Sequence, residues 1–107
     1  MKVEVLCVAK CPSHRAAVKL VKDVLAAEGV MAEIQEVLVK TQEMARNLRF
    51  VGSPTIRING NDVTGESHRT EGFALSCRLY PGSKNVGLPP VEMVQRAVRL
   101  AQRGEGL

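Results

Sequence analysis

Residues Val3 to Val8 are almost wholly apolar, with Glu4 the exception, as in a short strand covered on both faces. The period then changes. From Pro12 to about Glu28, Ala17, Leu20, Val21, Val24 and Leu25 recur at helical spacing, while Arg15, Lys19, Lys22 and Asp23 fall elsewhere and Gly29 ends the run. Val30 to Val39 returns to strand weighting through Ile34, Val37, Leu38 and Val39. A strand, a helix and a strand with tight connections make a βαβ unit, whose strands run parallel with a right-handed crossover. Thr41 fits the N-cap of a second, short helix with Met44, Ala45 and Leu48 on its apolar stripe and an end near Phe50. Ile56 and Ile58 then alternate with Thr55 and Arg57 as in a strand, and Asn59-Gly60 signals a tight turn.

Gly65 to Gly72 has no periodicity and reads as an exposed loop. Phe73, Leu75, Cys77 and Leu79 alternate with Ala74, Ser76, Arg78 and Tyr80, which predicts a half-buried strand with the first set inward. After the loop from Pro81 to Leu88 and the pair Pro89-Pro90, Val91, Val94, Val98 and Ala101 mark the stripe of a last helix. The pattern predicts one α/β domain over residues 1–107, ordered β-α-β-α-β-β-α.

Composition narrows the class. With 107 residues, 45% of them hydrophobic, the chain can bury one core without metals or disulfides to hold it. Trp is absent and only one Tyr and two Phe occur, so that core is aliphatic. The start, Met1-Lys2-Val3-Glu4-Val5, is too short and too interrupted for a signal sequence, and no run approaches the ~20 apolar residues of a membrane span. The expected location is the cytoplasm, with no membrane partner. Three cysteines in that setting read as reduced thiols with at most one reactive pair. The net charge of +4 raises the question of nucleic acid, but the basic residues are scattered over three helices as solvated faces. Without an aromatic stacking surface or a basic tail, nucleic acid is not an expected partner.

Candidate chemistry gathers at Val8-Ala9-Lys10-Cys11-Pro12-Ser13-His14, where the first strand ends and the first helix begins. A residue opening a helix faces free backbone N–H groups and the positive end of the dipole, which favour a thiolate over a thiol. Pro12 suits the first helical position. Cys11 thus reads as a helix-capping nucleophile, with His14 one turn on to tune the sulfur or share a metal with it. Cys7, inside the apolar strand, reads as a small core hydrophobe. Cys77 reads either as a core position or as a partner for Cys11. Pro54, at the head of a strand, is a place where a cis bond can occur, although spacing alone leaves trans ahead. A metal reading would gather Cys11, His14, Cys77 and His68. Structural zinc prefers paired short spacings, of which only one exists here, and soft thiophilic ions suit a low-pKa thiol better than zinc does. No cofactor is expected.

The order of elements, with Cys11-Pro12-Ser13-His14 and Ser53-Pro54-Thr55 at their positions, resembles the thioredoxin superfamily. The first motif stands where that superfamily carries C-x-x-C and the second where it carries its cis-proline. More narrowly, Gly52-Ser53-Pro54-Thr55-Ile56, Ser76-Cys77-Arg78-Leu79-Tyr80 and Gly87-Leu88-Pro89 resemble small bacterial thioredoxin-like proteins, some described as related to alkylmercury lyase. The resemblance implies a central mixed four-stranded sheet with three helices, a cis Pro54 lying against Cys11, and a redox role. It makes Cys11, His14 and Cys77 the catalytic candidates, and Pro12, Ser53, Pro54 and Thr55 the substrate-binding ones. The Ser53-Pro54 backbone would pair with an extended substrate.

One departure matters. The position of the second motif cysteine is His14, so Cys11 cannot run the ordinary dithiol cycle with that neighbour. Two expectations follow. In one, Cys11 exchanges with a disulfide substrate as a monothiol completed by a small thiol such as glutathione, or with Cys77 as resolving partner. In the other, the domain is catalytically inactive and holds a thiophilic metal such as mercury, or a protein partner, on the same surface.

Overall fold

The computed structural model describes residues 1–65, 73, 75–76, 78–80, 82–83 and 87–104. Its elements follow the predicted order: β1 (Lys2–Cys7), α1 (His14–Ala27), β2 (Glu33–Leu38), α2 (Gln42–Asn47), β3 (Thr55–Ile58), β4 (Asn61–Asp62) and α3 (Val91–Gln102). The sheet runs β2-β1-β3-β4, with β1 parallel to β2 and antiparallel to β3, and β3 antiparallel to β4. An α/β domain with a mixed four-stranded sheet and three helices is what the chain builds.

Alternation in β1 sorts the core. Val3, Val5 and Cys7 point to one face, where Ile58 and Ile56 of β3 stand opposite Val3 and Val5 in register. α1 covers that face with Ala17, Val21, Val24 and Leu25, and α3 adds Val94, Ala97 and Val98. Leu6 points the other way, into a smaller cluster with Val39, Ala45 and Phe50 around α2. The central strand is therefore apolar on both faces, which is why its sequence reads as a nearly unbroken run. Thr41 caps α2 as expected: its Oγ1 accepts from the Met44 N–H at 3.1 Å, a contact that contributes about 1 kcal/mol to so short a helix.

Two expectations are corrected. The fourth strand is Asn61–Asp62, not the stretch from Phe73 to Tyr80. Asn59 (φ 51°) and Gly60 (φ 85°) both take the left-handed conformation of a type I′ hairpin, and the return leg pairs at once with β3. The described residues of 73–80 lie outside any strand, and the burial of Leu75, Arg78, Leu79 and Tyr80 is opposite to the prediction. Leu75 and Leu79 are 42% and 69% exposed, whereas Arg78 and Tyr80 are buried. The second correction is the start of α1, at His14 rather than Pro12. The Cys11 carbonyl accepts from the His14 N–H at 3.2 Å, so Cys11 to Ser13 form a turn ahead of the helix and Ser13 is its N-cap.

Candidate functional site

The end of β1, the start of β3 and the start of α1 lie at one end of the sheet, because β1 and β3 are antiparallel and α1 follows β1. β1 stops at Cys7. The chain turns through Ala9 and Lys10, whose φ of 59° is the left-handed value that reverses it, and reaches Cys11. Cys11 is half-buried and packs on the core cluster that contains Cys7. It precedes the N-cap by two residues, so the dipole of α1, which acts over the first turn, reaches it more weakly than a capping position would allow. Pro12 belongs to the turn and not to the first helical position. The His14 Nε2 meets Glu36 Oε1 on β2 at 2.7 Å, which ties the first turn of α1 to the sheet edge.

Cys7 and Cys11 are both free thiols. Cys7 is 1% exposed. Burial pushes its thiol up from 9.0 to about 11; a hydrogen bond with Ser53 opposes the rise, and the neighbouring Cys11 sulfur and the Glu36 carboxylate add to it. The Ser53 hydroxyl also accepts from the Val8 N–H at 3.1 Å. Cys7 is thus where the cysteine turn and the proline loop meet. Its burial was legible in the sequence. Its partnership was not, although its place at the strand end four residues before Cys11 was the available signal.

The raised value fixes a pH dependence. The folded chain keeps a Cys7 proton that the unfolded chain sheds near pH 9, so this contribution is complete below pH 9 and is lost as pH rises through about 11. The buried Tyr80 phenol is shifted upward by desolvation and acts in the same sense. Melting temperatures across this alkaline window should fall more steeply for the wild type than for Cys7→Ala, and more steeply than for Tyr80→Phe. Parallel curves would contradict it.

The Ser53-Pro54 bond is cis, as the resemblance implies. Ser53, Pro54 and Thr55 are all buried, and the Thr55 hydroxyl donates to the Gly52 carbonyl at 2.5 Å. The backbone of Ser53 is not open to an extended substrate. Its N–H donates to the Ser76 carbonyl at 2.8 Å and its carbonyl accepts from the Arg78 N–H at 2.9 Å, so the chain itself takes the pairing role foreseen for a substrate. The same segment is fastened by side chains. Arg78 Nη1 lies 2.7 Å from Asp62 Oδ2, Arg78 Nη2 donates to the Thr64 hydroxyl at 2.8 Å, and the Tyr80 hydroxyl donates to the Pro54 carbonyl. Asp62, Arg78 and Tyr80 went unnoticed as site residues because each reads as an ordinary polar position.

Cys77 and His68 lie outside the described residues. Among the described residues no three His, Cys, Asp or Glu side chains are grouped to hold a metal ion, and no helix is long and apolar enough to cross a membrane. A family model described as a domain of unknown function (DUF2703) matches residues 7–97, a span that begins at Cys7 and ends inside α3. No curated protein and no solved structure matches the chain.

Proposed function

The chain belongs to the family of the domain of unknown function DUF2703, and we propose that it is a thioredoxin-like protein of thiol–disulfide exchange with Cys11 as the attacking thiolate. The element order, the sheet order β2-β1-β3-β4 and the cis-proline at the head of β3 support that fold reading. The observation that carries the function is the placing of Cys11. It is a reduced, half-exposed thiol just beyond the central strand, on the way into a helix, with a second reduced thiol buried behind it.

In the proposed step Cys11 attacks one sulfur of a disulfide, from a protein or a small thiol such as glutathione. A mixed disulfide forms on Cys11 and the other sulfur leaves as a thiolate that takes up a proton. His14, held by Glu36, stands where a second motif cysteine would resolve that intermediate, so resolution falls to another thiol. Pro12 shapes the turn that carries Cys11. Ser53 borders the site through the Cys7 sulfur and the Val8 N–H, and the cis Pro54 and Thr55 follow it into β3. The proposal places the protein in the cytoplasm, where thiols stay reduced.

Alkylation with iodoacetamide followed by peptide mapping should label Cys11 well ahead of buried Cys7, and the protein should reduce a mixed disulfide of glutathione. Cys11→Ser should abolish that turnover. Turnover that survives the substitution would refute the assignment. The paired thiols also suit a two-coordinate soft ion such as mercury. A cysteine-dependent rise in melting temperature with that ion, without turnover, would favour the binding reading instead.

A further inference from the structure

We infer that Cys7 is the thiol that resolves a mixed disulfide on Cys11, closing a Cys7–Cys11 disulfide across the turn Val8-Ala9-Lys10. The inference rests on the proposed role of Cys11 and adds to it the partner that the motif position, occupied by His14, does not supply. Three observations meet here. The two cysteines flank a turn at Ala9 and Lys10 that reverses the chain, and their side chains are hydrogen-bonded to one another, so the two sulfurs are neighbours. Cys11 packs against the cluster that contains Cys7, on the helix-covered face of β1. The Ser53 hydroxyl, fixed by the Val8 N–H, stands beside the Cys7 sulfur at the base of the same turn.

The division of labour between the two sulfurs follows from exposure. Cys7, at 1% exposed, is closed to a disulfide arriving from solvent; Cys11, half-buried, is open to one. A disulfide made on Cys11 is the one that Cys7 can reach. With glutathione disulfide as substrate, the Cys11 thiolate forms a Cys11–glutathione bond and releases one glutathione thiolate. The Cys7 sulfur then attacks the Cys11 sulfur, the second glutathione leaves, and the Cys7 proton ends on a departing thiolate. Two glutathione thiols form, the protein loses two electrons, and the disulfide substrate gains them. An external thiol or dithiol returns the pair to its reduced state.

Full-length wild-type protein treated with glutathione disulfide, quenched with acid and mapped by mass spectrometry under non-reducing conditions tests this directly. The expected product is a Cys7–Cys11 disulfide with no glutathione retained. Cys7→Ala should instead keep glutathione on Cys11, with a lifetime longer by about tenfold or more, because an intramolecular thiol is replaced by a dilute external one. A wild type that retains glutathione on Cys11, or that yields Cys11 joined to Cys77, would overturn the role of Cys7 while leaving exchange at Cys11 standing. A wild type in which Cys11 takes up no glutathione and forms no disulfide would overturn the exchange reading itself. The wild-type map decides the matter even if Cys7→Ala folds poorly.

Discussion

Asp62→Ala should destabilise the protein by about 3–5 kcal/mol, measured by urea denaturation at neutral pH, because it takes one half of a buried, hydrogen-bonded ion pair away from Arg78. Both residues are buried, with Arg78 Nη1 at 2.7 Å and Nη2 at 3.3 Å from the two Asp62 oxygens. A guanidinium cannot escape by losing its proton. Among the described residues the hydroxyls of Thr64 and Thr55, at 2.8 Å and 3.5 Å, also accept from it, as dipoles rather than charges. Replacing both partners by apolar residues, as in Asp62→Leu with Arg78→Met, should cost less than Asp62→Ala alone, since the penalty comes from breaking a buried pair on one side rather than from a large net value of the pair. A loss under about 1 kcal/mol for Asp62→Ala would mean that water or chain movement reaches Arg78 and that the pair is not the fastening described here.

That pair also explains the largest misreading of the sequence. Alternation from Phe73 to Tyr80 records which side chains are apolar, and by that measure Leu75 and Leu79 face inward. The fold instead buries Arg78, because Asp62, sixteen positions earlier, waits with a matching charge at the end of the hairpin on Asn59-Gly60. It buries Tyr80 because the hydroxyl finds the Pro54 carbonyl. Single-residue hydropathy holds no record of a partner so distant. Where burial needs no partner the sequence is direct: Val3, Val5 and Leu6 in β1, Val21 and Val24 in α1, and Val94 and Val98 in α3 are inside as their spacing implies.

The site was legible to a similar depth. Cys11 stood out by its place between an apolar strand and a helix, and Thr41 and Asn59-Gly60 by local turn and cap chemistry. The cis bond at Pro54 came from the resemblance, since spacing alone favours trans. The sequence shows Cys7 as a core residue and does not show the groups that surround it. A buried cysteine can fill space and face another thiol at once, and only the turn at Lys10 together with the Ser53 hydroxyl places those groups around it. The two-residue shift in the start of α1 has a local cause as well, the hydrogen bond from the His14 N–H to the Cys11 carbonyl.

Gly52→Ala should cost about 2–6 kcal/mol, from backbone strain and overpacking of about 1–3 kcal/mol each. Gly52 has a φ of 127°, outside the range of residues with a Cβ, and an added Cβ would meet the Arg78 Cβ at 2.9 Å and its Cα at 3.2 Å. Arg78 has little room to yield. Its N–H is bonded to Ser53, the next residue after Gly52, and its guanidinium to Asp62. Relief must therefore come from loosening the segment that covers the Ser53 backbone, which is the same segment that Asp62→Ala loosens. The double variant should lose less than the sum of the two single losses, by at least about 0.5 kcal/mol, as expected of residues that share one set of contacts. Additive losses would show that the proline loop and the Asp62–Arg78 pair are separate features. A shortfall would make them one fastening that holds Ser76, Arg78 and Tyr80 over the loop beside Cys7.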